Sequence, residues 1–361
     1  MLAACRAAPV GPEASSAVSV SAPASAAASR SLLTLEQELA LPSALVDAAT
    51  KEGKLSFISS IDKNVAKGVF DVFKKRYPAI AVDYQEGSEE VRTVRTLTEF
   101  KTGRGKIDVV MGIGGFLSEY RTAGALSSLA DLPAATEYEP PYRGNQFEWA
   151  GVRVQLWGIG RNTDLVKDAE APKSWDDLVD DRWKGRVGLG DRPQLWVQQL
   201  WKVWGPDRTT AFLKKLFANK PQRRKEGLDA SAQLLAAGEF GLYVPAAPYR
   251  IEGLRQTKSP VTWLSPEPIS VAASEIVILQ KSPSPNAAKV FTNWFLSREG
   301  QATYSKADFA VPAHPALRDD TAYLGMFADS FKGKQWTIRT PEDEEVLLPA
   351  VRKVWSDLWT S

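Results

Sequence analysis

Cysteine and histidine are almost missing from this 361-residue sequence, which has one of each, Cys5 and His314. A lone cysteine excludes an internal disulfide framework, and the pair excludes a zinc site built from Cys and His clusters. Nucleophile–base catalysis is left with one imidazole. That imidazole sits in Pro312-Ala313-His314-Pro315, a Pro-flanked stretch that predicts a surface loop. Charge of one sign is also missing. The formal net charge is +2, too small to point to nucleic acid or an anionic membrane surface. No apolar run is long enough to span a bilayer. The hydrophobic share is 44%, the balance of a globular chain with a buried core. The length exceeds the usual single core, so two lobes are expected. Twelve tryptophans are many; most belong in a core and a few suit the wall of a cleft.

The first thirty residues differ from the rest. Ala, Ser and Pro dominate from Arg6 to Arg30, a composition too poor in large apolar side chains to repay ordering. This reads as a tether. Just ahead of it, Leu2-Ala3-Ala4-Cys5 resembles a bacterial lipobox, which would make Cys5 a lipidated N-terminus. Only four residues precede Cys5, so the basic and hydrophobic parts of a signal peptide would lie upstream of Met1.

From about Ser43 the pattern alternates strand and helix. Lys54 to Ser59 reads as a strand. Val65 to Tyr77 reads as a helix with Val69, Phe73 and Tyr77 on one face, ended by Pro78. Ile80 to Tyr84 is a second strand, Glu89 to Lys101 a helix capped by Ser88, and Ile107 to Met111 a third, fully apolar strand. Such alternation implies a parallel sheet with right-handed crossovers. A second set follows. Val152 to Gly160 is an apolar run broken by Arg153 and Gln155. Ser174 to Asp177 resembles a capping box opening a helix. Strands are expected at Arg186 to Leu189, Phe240 to Val244 and Glu275 to Gln280. Helices are expected at Gln194 to Trp204, Arg208 to Phe217, Ala230 to Ala237 and Asn286 to Leu296.

Several landmarks in one order carry a family resemblance. They begin with Glu52-Gly53-Lys54-Leu55, Phe73 to Val82 (FKKRYPAIAV) and Gly87-Ser88 followed by Arg95 and Glu99. Next come Ile107-Asp108-Val109-Val110, Gly124-Ala125-Leu126 and Arg161-Asn162-Thr163. Pro172 to Gly185 (PKSWDDLVDDRWKG) and Ala288 to Gln301 (AKVFTNWFLSREGQ) complete the series. Together they resemble the family 1 extracellular solute-binding proteins, in particular the ferric-iron-type branch of the type II periplasmic-binding-protein fold. The resemblance runs from about Ala48 to Pro312. It implies an α/β protein of two lobes, each a mixed, mainly parallel sheet flanked by helices, joined by two crossing strands. The implied division is a lipobox remnant, tether and lead-in over 1–42, a first lobe of 43–158 with 276–361, and a second lobe of 159–275. It also implies an extracytoplasmic position and a ligand trapped by hinge closure. The partners would be an ABC permease and an ATPase in other chains, and the protein itself a monomer without cofactor.

Ligands of open α/β sheets sit beyond the C-terminal strand ends, where helix N-termini offer N–H groups to anions. Four loops meet that condition: Ser59-Ser60, Gly87-Ser88, Gly112 to Gly115 with Gly114 at its centre, and Gly190 to Gln194 with Asp191 and Arg192. Ser60 and Ser88 also suit plain N-caps. The GIGG run lacks dinucleotide-loop spacing. Tyr249 and Arg250 follow a second-lobe strand. Iron-type relatives carry adjacent tyrosines there whose phenolates bind Fe³⁺; here Pro248 takes one of the two places, and Ser59-Ser60-Ile61-Asp62 offers no histidine. Tyr243, Asp62 and Glu86 are the substitutes available if iron is bound, with Tyr249 as the phenolate. The preferred expectation is a small organic anion held by Arg250, with Arg192 or Arg92 assisting. Trp157 and Trp196 are candidates to stack on it, whereas Trp201 reads as core. Arg95 and Glu99 read as an i, i+4 pair. The remaining alternatives are a cleft enzyme of the same architecture and a purely structural surface lipoprotein.

Overall fold

The computed structural model describes residues 31–318, 320, 327–331, 333–334 and 336–360. Cys5 and the tether lie outside the described residues. Strand β1 (Lys54–Ser59) pairs in parallel with β2 (Ala81–Glu86) and β3 (Val109–Met111). The helix Lys63–Arg76 bridges the first two. Asp62 caps it, accepting the Asn64 N–H at 2.8 Å, and Ala66, Val69 and Phe73 form its buried stripe. Lys74, Lys75 and Arg76 stand in its last turn, where the helix dipole favours cations.

The sheet runs β2-β1-β3-β9-β4-β7-β5-β6. Its later members are β4 (Ala150–Asn162), β5 (Val187–Gly190), β6 (Gln222–Arg224), β7 (Leu242–Ala246) and β9 (Ser270–Ile278). Pairs at the two ends are parallel, while those around β4 and β9 are antiparallel. The long strands β4 and β9 lie side by side from Ala150↔Ile276 to Trp157↔Ser270. The first part of β4 also pairs with β10 (Val311–Pro312), and its last part with β7 and β8 (Val261–Leu264). At Gly158 the register with β7 shifts, and the Leu264 carbonyl stands where a Cβ would be. Only glycine permits that approach.

Separate apolar clusters pack the two ends. The first is built around Phe57, Phe73, Phe291 and Trp294, with Phe57–Phe291 and Phe73–Trp294 ring centroids 5.1 and 5.2 Å apart. Each such ring removed from water contributes about 2–3 kcal/mol. In the second, Trp175 stacks on Trp196 at 5.1 Å. The C-terminal helix Pro341–Thr360 sends Val351 and Trp355 into this second cluster, although the sequence reading grouped it with the first lobe. A third cluster holds Leu235, Phe240, Tyr243 and Ile251.

Two elements differ locally from expectation. The helix expected from Glu89 does begin there, but a π turn, Val91–Arg95, interrupts it before regular helix resumes at Thr96–Lys101. There Tyr120 donates to the Arg92 carbonyl at 2.8 Å and draws it out of the helical ladder. Ser174 and Asp177 do exchange reciprocal capping bonds, but they open only a 3-10 turn at Asp176–Val179. Trp175 is drawn inward there and donates to the Pro268 carbonyl at 3.1 Å.

Candidate functional site

A cleft of about 420 Å³ lies where the two parallel ends of the sheet face one another. One wall carries Ser60, Gly87, Ser88, Arg92 and the Gly112–Phe116 stretch, all beyond the C-terminal ends of β1, β2 and β3. The other carries Arg192 beyond β5, Asp229, and Tyr249 with Arg250 beyond β7. Arg153, Gln155, Trp157 and Glu275 rise from the long strands between them. This is the crevice at strand C-termini that open α/β sheets use for ligands.

Six residues expected at the site do line it: Ser60, Ser88, Gly114, Arg192, Tyr249 and Arg250. Two do not. Ser59 is buried, its Oγ 2.8 Å from the Tyr84 hydroxyl and accepting the Ile61 N–H at 3.0 Å. Successive strand residues face opposite ways, so Ser60 points to the cleft and Ser59 to the core. Asp191 turns away and accepts from Trp355 Nε1 at 2.8 Å. Gly114 lines the cleft, but its N–H donates to Glu275 Oε1 at 2.6 Å. That donor is already occupied.

Tyr249 and Arg250 stand in the first turn of the helix Pro248–Gln256, with Pro248 at its first position. Proline fits that position because its missing N–H would have no helical partner. The proline in the place of a second tyrosine therefore serves the helix start. Arg250 Nε lies 2.7 Å from Asp229. The Tyr249 ring has the Arg250 and Arg153 guanidiniums 5.0 and 5.6 Å from its centroid. Trp157 lines the cleft with Arg339 at 5.6 Å, whereas Trp196 is fully buried in the second cluster. Tyr243 is buried, Asp62 is a helix cap and Glu86 stands exposed at the end of β2, so these do not join Tyr249. Arg95 and Glu99 form an exposed pair at 2.8 Å, away from the cleft. His314 corrects the surface expectation. It is fully buried, its Nε2 3.2 Å from Glu38 Oε1 and its Nδ1 accepting the Ala316 N–H at 3.1 Å.

The sequence reading missed seven charged residues of the cleft or left them in minor roles. Arg153 is buried and donates to Asp308 at 2.9 Å. Burial opposes its charge, but Tyr304, Asp308 and Tyr249 hold its pKa above the usual value. The signal was visible as a polar break in the Val152–Gly160 run. Arg92 donates to the Gly87 and Met111 carbonyls, each at 3.1 Å, and to that of Gly112. Burial lowers its pKa. Arg339, Glu275, Glu344, Asp229 and Glu89 are the others. Among the described residues, four buried donors on cleft residues have no hydrogen-bond partner: Arg153 Nε, Arg339 Nη1, Trp157 Nε1 and Arg250 Nε, the last of which lies within ion-pair reach of Asp229. Arg192 has no carboxylate within ion-pair reach among the described residues.

Glu275 is buried beside Arg92 and Glu344. Burial, the largest influence, raises its pKa from 4.5 to about 7. The folded state therefore binds more protons than the unfolded state between these values. Its contribution is fully present below about pH 4.5 and is lost as pH rises through about 7. The shift corresponds to about 3 kcal/mol at most. Glu275→Gln is expected to flatten this part of the stability–pH curve and to exceed the parent in stability at pH 8. Urea melts from pH 4.5 to 8 measure it; an unchanged slope in the variant would assign the proton elsewhere.

Two half-sheets joined by paired long strands, with a charged cleft between them, define a two-lobed protein built to enclose a small ligand. The chain belongs to the bacterial extracellular solute-binding proteins, whose family model matches residues 69–324. A protein of Haemophilus influenzae described as uncharacterized is 30% identical over 163 residues, 42% of this chain and 46% of that one. The Fe(3+)-binding periplasmic protein of Serratia marcescens is 35% identical over 95 residues, 25% of this chain and 28% of its own length. The chain thus spans less than half the length of these curated relatives. Iron-bound HitA from Pseudomonas aeruginosa shares the fold, with a TM-score of 0.69 at 20% identity, covering 84% of this chain and 99% of HitA. Among the described residues no helix is long and apolar enough to cross a membrane.

Proposed function

We propose that this chain is the extracytoplasmic substrate-binding component of an ABC importer, and that its cargo is a small organic anion closed between the lobes. The observation that carries this reading is the donor inventory of the cleft. Among the described residues, Arg153 Nε, Arg339 Nη1 and Trp157 Nε1 are buried without partners, and Arg192 and Arg250 face them from the other wall. Buried donors without acceptors are costly, so a ligand rich in acceptor oxygens gains most by filling the space. The reading includes a first lobe of 43–158 with 276–361, whose last helix, Pro341–Thr360, reaches over to the second apolar cluster, a second lobe of 159–275, a lipid anchor at Cys5, and permease and ATPase partners in other chains. It assigns no catalysis, because His314 is held against Glu38 outside the cleft lining.

Ferric iron is the second reading, favoured by the names of the Serratia protein and of HitA. The cleft argues against a bare cation. Tyr249 lies between two guanidiniums, and no group of three or more His, Cys, Asp and Glu able to hold a metal occurs among the described residues. Hard Fe³⁺ favours several anionic oxygens. A thermal-shift screen of the full chain with carboxylates, phosphonates, polyols and ferric salts separates the two. The expected result is stabilisation by an organic anion, growing with its concentration over its Kd. Stabilisation by ferric salt alone, lost in Tyr249→Phe, would overturn the anion.

A further inference from the structure

Four consecutive acidic residues, Glu342 to Glu345, open the C-terminal helix, and the first three have different partners. Glu342 Oε1 accepts from Arg121 at 2.7 Å and from Trp149 Nε1 at 3.0 Å, both from the first half of the fold. Asp343 Oδ2 pairs with Lys202 at 2.7 Å, from the second half. Glu344, directly after these anchors, reaches into the cleft. Its Oε1 lies 3.3 Å from Arg339 Nε, and its Oε2 is 3.0 Å from the point a Cβ on Gly114 would occupy. Its Oε2 also stands 3.7 Å from the point a Cβ on Gly115 would occupy. Arg339 is 1% exposed, and its Nη1 has no partner among the described residues.

We propose that Glu344 is a built-in competitor for the acid group of the ligand, and so determines which anions the cleft accepts. This rests on the anion reading above. The Gly112–Gly115 loop and Arg339 together form an anion seat, and the protein fills that seat with its own carboxylate. The neighbouring Gly114 N–H is likewise taken by Glu275. A helix tied to both walls fixes the Glu344 carboxylate in place, so it occupies the seat at an effective concentration no free ligand reaches. A free anion entering the cleft meets a like charge and finds the Arg339 Nε side already held. An acceptable anion must therefore engage Arg339 Nη1, Arg192 and Arg250 without needing the loop.

The test titrates the full chain and Glu344→Gln with inorganic phosphate and, separately, with acetate, by calorimetry at constant ionic strength. Gln keeps the shape and removes the charge. Glu344→Gln is expected to bind at least one of these anions roughly tenfold or more tightly than the parent. Asp357→Asn, exposed in the same helix and paired with Lys353, removes a distant charge and is expected to change nothing. A merely structural Glu344 would lower stability in the variant without raising affinity. Equal or weaker binding by Glu344→Gln overturns the competitor and leaves the anion reading standing. No binding of either anion by either protein overturns both. Should Glu344→Gln fail to fold, Glu344→Asp, which withdraws the charge by one methylene, decides the matter: tighter binding than the parent supports the competitor, and unchanged binding overturns it.

Discussion

Replacing Arg153 by methionine is expected to cost about 3–5 kcal/mol of folding free energy. Arg153 lies on β4, a strand that runs through both halves of the sheet, and is buried. Its guanidinium pairs with Asp308, which also accepts from the Tyr304 hydroxyl at 3.1 Å. Methionine fills much of the same space but leaves the Asp308 carboxylate buried without its cation. A stranded charge of that kind costs far more than the pair contributes against an apolar substitute. The double change Arg153→Met with Asp308→Asn is therefore expected to recover much of the loss. Chemical denaturation of the two variants and the parent measures this. A loss under about 1 kcal/mol for the single change would mean that Asp308 finds water or another donor.

Replacing Arg250 by alanine is expected to weaken binding of an organic anion by about 2 kcal/mol or more, roughly thirtyfold in Kd. The side chain stands in the first turn of the Pro248–Gln256 helix, facing Arg153 across the Tyr249 ring. Its partner Asp229 is 70% exposed, so truncation strands no buried carboxylate. Stability should therefore change by less than about 1 kcal/mol while affinity falls. Titration of parent and variant with the most stabilising anion of the thermal screen reads the difference. Unchanged affinity would show that Arg192 and Arg339 hold the ligand without it.

The sheet and its loops were legible because local signals carry them. Apolar runs mark β1 and β3, Pro78 and Gly87 bracket the mixed strand β2, and the loops after all three strands line the cleft. The faces of individual residues were less legible. Ser59 and Ser60 are neighbours, yet one packs in the core and the other lines the site; Asp191 and Arg192 divide in the same way. A one-residue change of face is set by the exact strand end, which periodicity places only within a residue or two. His314 was misplaced because the groups that bury it, Glu38 and Gln301, lie elsewhere along the chain. Glu344 was invisible for the same reason. Its helix carries an ordinary acidic first turn, and only the folded chain sets that turn beside Gly114 and Arg339. Arg153 was half visible, since a buried run interrupted by arginine requires a carboxylate, but nothing local named Asp308.

The central claim is that a small anion is enclosed between the two halves of this fold. Hydrogen exchange on the full chain, with and without the most stabilising anion of the thermal screen, tests it most directly. The expected result is simultaneous slowing of exchange on both walls, at Gly87–Arg92 and Gly112–Phe116 on one side and at Arg192–Leu195 and Tyr249–Arg250 on the other. Protection confined to one wall, or lying outside the cleft, would contradict enclosure.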